Sequence, residues 1–200
     1  MTRPKKATQG QAASNTKRIN PVMYELVQLA TGIPILLGGG LNVEGREHIP
    51  RQGRVVIAGS HTLSLDPFAI SHAMPRGRRI QYMAKKELFD NPFLGFVIGT
   101  GGSFPVDRTG NDVGAIRTAL RILQAEGALG IFPQGTRGGT ALQGGAALIA
   151  LKGKAPIVPA SVRYDRAKRR WFVRFGPPIA PEGKVAELTE KIREALRTLE

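Results

Sequence analysis

The 200-residue chain fits one domain of ordinary size, long enough to bury a core without disulfides or metal. It contains no cysteine, which excludes thiol nucleophiles, disulfide frameworks and thiolate metal sites together. Lys and Arg number 29 against 15 Asp and Glu, a formal charge of +14 that draws the protein toward anionic surfaces or ligands. On charge alone nucleic acid, anionic lipid headgroups and acidic carrier proteins all qualify.

Residues 1–19 are polar and basic, without the apolar run of a secretory signal, and are expected to form a disordered tail. Asn20-Pro21 has the form of a helix cap followed by proline in the first turn. The stretch that follows, VMYELVQLATGIPILL, is apolar except for Glu25, Gln28 and Thr31. It falls short of the roughly 20 clean apolar residues that span a bilayer. Two readings fit this segment, taken as residues 20–39. It is either a helix packed on the core, or a helix lying in a membrane interface beside the preceding basic cluster.

From residue 40 to 200 short apolar runs alternate with helical patterns. RVVIAGS (54–60) reads as a buried strand, and Asp66-Pro67 caps and opens a helix over 66–74. RIQYMA (79–84) is a second strand, and residues 86–99 are helical with a break near Pro92. SFPV (103–106) is a short strand. Residues 111–127 form a helix with Val113, Ile116, Leu120 and Leu123 on one face. ALGIFP (128–133) is a buried strand, 145–153 a short helix, 155–164 a strand, and RRWFVRFG (169–176) an outer strand. The last helix, over 188–199, aligns Leu188, Ile192, Leu196 and Leu199. This alternation predicts a single α/β domain with a largely parallel, partly mixed sheet flanked by helices.

In such sheets ligands lie beyond the carboxyl ends of the strands, so the residues after each apolar run carry the functional reading. The first run leads into His61, with Asp66 five residues on. A tight turn would bring that carboxylate to one imidazole nitrogen and leave the other to take a proton, the base-and-orienter pair of acyl transfer. The bland alternative is an ordinary Asp-Pro helix start beside an idle histidine. The second run ends at Lys85-Lys86, the third leads to Arg108, and the fourth to Gln134-Gly135-Thr136-Arg137-Gly138-Gly139. Arginine's planar fork suits phosphate oxygens, and a glycine turn lets backbone N–H groups approach them. Surface arginines and glycine turns are common singly; together with the His/Asp pair they describe a base beside a phosphate site.

These blocks resemble the glycerophospholipid acyltransferase superfamily, in particular the bacterial 1-acyl-glycerol-3-phosphate acyltransferases. SHTLSLDP matches the catalytic H-x₄-D block, GGSFPVDR the second, FPQGTR the third and APIVPAS the fourth, with YMAKKELF between the first two. The resemblance covers roughly residues 40 to 180. It implies that His61 deprotonates the acceptor hydroxyl and Asp66 orients it. Arg108 and Arg137 would hold the acceptor phosphate with help from Lys85, while Gln134, Gly135 and Thr136 shape that pocket. The Ile157–Pro159 region would support the acyl-binding surface. The acyl group would pass directly from an acyl-CoA or acyl-carrier-protein thioester to a lysophospholipid, with no cofactor and no metal. The family's apolar N-terminal helices favour the interfacial reading of residues 20–39, on anionic lipids at the cytoplasmic face of the cell membrane. Two positions depart from the family pattern: Gln134 where glutamate is usual, and Ser60 where asparagine commonly precedes the histidine. Another lysophospholipid or a glycolipid is therefore the alternative acceptor.

Outside this class, a thioesterase would use the same pair on water. A nucleic-acid-binding protein fits the charge, but aromatics are 6% and no recognised module is present. A metal site from His61, Asp66 and His72 lacks further well-spaced ligands.

Overall fold

The computed structural model describes residues 19–60, 63–107, 112–133 and 144–200. The apolar runs become strands: β2 (Val55–Gly59), β3 (Ile80–Lys85), β4 (Phe104–Val106), β5 (Ala128–Ile131), β6 (Ile157–Asp165) and β7 (Arg170–Phe175). One more strand, β1 (Leu41–Glu44), alternates apolar and polar residues but is too short to stand out from the sequence. The helices are α1 (Pro21–Leu37), α2 (Asp66–Ala73), α3 (Pro92–Thr100), α4 (Val113–Gln124), α5 (Gly145–Gly153) and α6 (Val185–Leu199). The break expected near Pro92 separates α3 from a 3₁₀ turn over Lys86–Phe89.

The seven strands form one sheet in the order β1-β7-β6-β2-β5-β3-β4. Neighbours pair in parallel except β6 with β7, so the predicted largely parallel, partly mixed sheet is what the chain builds. The central strands β2 and β5 are buried at every residue, as their unbroken apolar runs require. The strand read as outer, β7, is interior: it pairs with β6 on one side and with β1 on the other. Its alternating Trp171, Val173 and Phe175 report that one face is covered. They do not report whether both flanks are hydrogen-bonded.

Two cores lie on opposite faces. On one, α4, α5 and α6 cover Val56, Ala58, Leu129, Ile131 and Ile157. Leu188, Ile192 and Leu196 of α6 are buried there, as the spacing predicts. Helix α4 buries Leu123 of its expected face, with Ile116 packed against the same core. Ala115, Ala119, Ile122 and Leu123 are buried, whereas Val113 is 54% exposed. Val113 is the first residue of the helix, and the small Ala115 and Ala119 take the positions against the core. On the other face α2 and the end of α1 cover Val55, Ile57, Ala128, Val158 and Val173. Gly130 is required here because a Cβ would lie 2.3 Å from the Tyr82 ring.

Candidate active site

The sheet brings together the strand ends singled out in the sequence. Ala58 lies opposite Ile131, Tyr82 opposite Gly130, and Met83 opposite Phe104. Parallel strands in this register deliver Ser60, Pro133, Lys85 and Val106 to one edge of the sheet. His61, Arg108, Gln134, Gly135, Thr136 and Arg137 follow these ends in the chain and lie outside the described residues.

Ser60 stands immediately before His61 and is buried at the end of β2. Its N–H donates to Ala160 O (2.9 Å), and its hydroxyl accepts from Val162 N (3.2 Å), so two bonds fasten the end of β2 to β6. Serine at this departure from the family pattern thus anchors the strand end from which His61 continues.

Asp66 is fully buried. It is the first residue of α2, and Leu65 occupies the cap position, one residue earlier than the sequence reading placed it. The displacement has a local cause. The carboxylate Oδ2 accepts from Leu63 N at 2.6 Å while Asp66 N donates to Leu63 O at 3.0 Å, closing a turn that already carries the chain into the helix. A carboxylate in the first turn also meets the positive end of the helix dipole. Helix α2 is held in turn by Tyr82 of β3, whose hydroxyl donates to Pro67 O (2.8 Å), with Ser71 Oγ 3.1 Å from it. Burial pushes the Tyr82 phenol well above its ordinary value, so it serves as a neutral donor. His72 near the end of α2 turns toward α1: its Nε2 lies 3.2 Å from Thr31 Oγ1, and burial lowers its imidazole below the ordinary value.

At the next strand ends, Lys85 and Lys86 divide their contacts. Lys86 Nζ pairs with Asp107 Oδ2 at 2.6 Å, whereas Lys85 lies 3.7 Å from Glu87 and lines a cavity. Asp112, which the sequence reading passed over, accepts from Asp107 N (2.9 Å) and, as the cap of α4, from Ala115 N (2.8 Å). One carboxylate thus ties the residue before Arg108 to the helix after it. The signal was present in the sequence, since Asn-Asp before an apolar helix is a cap pattern.

The cavity has a volume of about 360 Å³, within the range of small-molecule pockets. Ser64 and Pro67, on either side of Asp66, form part of its wall, with Lys85 from β3, Val27 from α1, and Leu94 and Ile98 from α3. An apolar space therefore begins at the turn that carries Asp66 and ends between α1 and α3.

Helix α1 has its amphipathic character turned around. Asn20 caps it, accepting from Val22 N and Met23 N. The three polar residues that interrupt its apolar run all have partners in the domain. Glu25 pairs with Arg79 (3.3 Å), Gln28 donates to Ser71 O (3.3 Å), and Thr31 meets His72. Buried Tyr24 and Ile35 share that inner side. The outer stripe is apolar and exposed: Val22, Leu26, Leu29, Ile33 and Leu36, from 52% to 74% exposed, recur at helical spacing. Phe93 and Phe96 of α3 add further exposed apolar surface. Among the described residues no helix is long and apolar enough to cross a membrane.

Residues 40–163 match the acyltransferase family. The chain is 31% identical over 194 residues to the 1-acyl-sn-glycerol-3-phosphate acyltransferase of Bacillus subtilis, covering 89% of this chain and 97% of that protein. It is 33% identical over 160 residues to the enzyme of the same name from Streptococcus pneumoniae, covering 74% of this chain and 60% of that longer protein. The crystal structure of the 1-acyl-sn-glycerophosphate (LPA) acyltransferase from Thermotoga maritima superposes with a TM-score of 0.69 at 20% identity, over 88% of this chain and 78% of that one. The protein therefore belongs to the acyltransferase family. It is an O-acyltransferase, and the fold agrees with that assignment.

Proposed function

We propose that the protein transfers a fatty acyl group from an acyl thioester to the sn-2 hydroxyl of a 1-acyl-glycerol-3-phosphate at a membrane surface, making phosphatidic acid for phospholipid biosynthesis. The observation that carries this reading is the buried Asp66 turn, which joins the anchored end of β2 to the wall of an apolar cavity. The acceptor is the one named for the Bacillus and Streptococcus relatives.

In this mechanism His61 takes the proton of the acceptor hydroxyl, and the oxygen attacks the thioester carbonyl carbon. The tetrahedral intermediate collapses as the C–S bond breaks, and the departing thiolate receives the proton held by His61. Asp66 orients the imidazole and stabilises its cation. Arg108 and Arg137 hold the acceptor phosphate, with Lys85, Gln134, Gly135 and Thr136 around it. The apolar cavity houses an acyl chain. The outward stripe of α1, with Phe93 and Phe96, lies in the lipid interface and brings the cavity to its substrates. Acyl-CoA and acyl-carrier protein are both acidic, so the net charge of +14 suits either donor.

The test is an acyl-transfer assay with purified protein that crosses both donors with several lysophospholipids and reads the products by mass. Phosphatidic acid formed in preference to other products is the expected result. Free fatty acid released without dependence on acceptor would make the enzyme a thioesterase instead.

A further inference from the structure

Next to the exposed end of α1 stands the hairpin of β6 and β7, which the acyl-transfer reading leaves unused. Between residues 163 and 170 it carries Arg163, Arg166, Lys168, Arg169 and Arg170, all exposed, against the single acid Asp165. That acid is engaged in closing the hairpin: its Oδ1 accepts from Lys168 N at 3.0 Å. Arg163 and Lys168 lie 5.4 Å and 5.7 Å from the Phe172 ring, so two of the cations hang over an aromatic face.

The hairpin is fixed to α1 by backbone geometry. Trp171 N donates to Gly40 O (3.0 Å) and Arg170 Nε to Gly39 O (3.1 Å). Gly39 has a φ of +93°, and a Cβ there would lie 1.5 Å from Arg169 O, so only glycine permits this contact. Leu36 and Leu37, 74% and 73% exposed, end the helix two residues before that contact. The apolar stripe of α1 thus runs into a cluster of cations, the order in which a bilayer presents its acyl region and its anionic headgroups.

We infer that the β6–β7 hairpin is a headgroup-binding surface that selects anionic bilayers, working beside the apolar face of α1. The inference rests on the interfacial reading of α1 under the proposed function. It moves the electrostatic half of membrane binding from the basic tail to a folded element, where the cations are already positioned and little ordering entropy is lost on contact.

The test uses the full chain in co-sedimentation with two vesicle compositions, phosphatidylcholine alone and phosphatidylcholine with about 30% phosphatidylglycerol. The hairpin variant is Arg166→Gln/Lys168→Gln/Arg169→Asn; asparagine tolerates the positive φ of 47° at position 169. Arg170 is left in place because it bonds Gly39. The control, Arg117→Gln/Arg121→Gln/Lys191→Gln, removes equal charge from α4 and α6 on the opposite face of the sheet. A cation near an anionic surface is worth about five-fold in partitioning, so the hairpin variant should lose about 10²-fold on anionic vesicles. It should keep its binding to neutral vesicles, and the control should change little. Equal loss in the control would reduce the effect to net charge and overturn the inference, as would unchanged binding of a folded hairpin variant. Intact vesicle binding with impaired use of acyl-carrier protein would assign the surface to the acidic donor instead. Wild-type protein that binds neither vesicle would overturn the interfacial reading of α1 together with this one.

Discussion

Asp66 is buried with a backbone N–H held against one carboxylate oxygen, so its placement does not depend on substrate. Asp66→Asn keeps the size of the side chain and removes the charge that would stabilise an imidazolium. Transfer should fall by about 10²–10⁴, the range of a positioned general base, with His61→Ala falling at least as far. Both are to be measured as kcat on protein that circular dichroism finds folded; near-normal turnover in either variant would remove the mechanism. Asp112 offers a finer test. Asp112→Ala should free the segment that carries Arg108, raising the acceptor KM in the same direction as Arg108→Ala and Arg137→Ala. Loss of the α4 cap should also cost about 1 kcal/mol of stability, read by denaturant titration. A normal acceptor KM in all three variants would place the phosphate elsewhere.

At the scale of the element, α1 is proposed to bring the enzyme to membrane-embedded substrate. Its inner side docks through Tyr24, Gln28, Thr31 and Ile35, and its outer stripe is exposed among the described residues. Its seventeen residues make a helix about 25 Å long, and under the proposed function it lies in the membrane interface. Leu26→Gln/Leu29→Gln/Ile33→Gln should leave stability within about 0.5 kcal/mol per site, as surface changes do. Binding to neutral vesicles should fall together with transfer to vesicle-embedded acceptor, while transfer to dispersed short-chain acceptor survives better. Sedimentation and both assays on one preparation separate the cases. Equal loss on the two acceptors would make α1 a packing element only.

Stability of the whole molecule should carry a pH signature from the α1–α2 contact. Burial disfavours the charged form of His72, so the unfolded chain binds its proton more readily than the folded one. Above the ordinary histidine value, about 6.5, both states are neutral and the group contributes nothing. As pH falls through that value the unfolded state gains protonation first, and stability declines until the lower folded value is passed. Thermal unfolding at pH 7.5 and 5.5, about one unit to either side, should show a lower Tm at the acid point, and His72→Gln should narrow the difference. An undiminished difference in the variant would assign the effect to other groups.

The sequence by itself determined most of the elements and the family. Unbroken apolar runs and helical spacing are local properties, so β2 to β6, α5 and α6 were legible, as were the blocks that mark the family. The tertiary structure decided what depends on partners distant in the chain. It placed β7 inside the sheet by adding the four-residue β1 at the edge, and it left Val113 at the start of α4 exposed while Ala115, Ala119 and Ile122 joined Leu123 in the core. It gave Glu25, Gln28 and Thr31 their partners at Arg79, just before β3, and on α2, which turns an interrupted apolar segment into a helix docked by polar contacts with its apolar stripe outward. It also set the basic hairpin against the end of that helix through Gly39. No window of sequence contains these contacts, because burial and pairing are settled only when segments far apart in the chain meet.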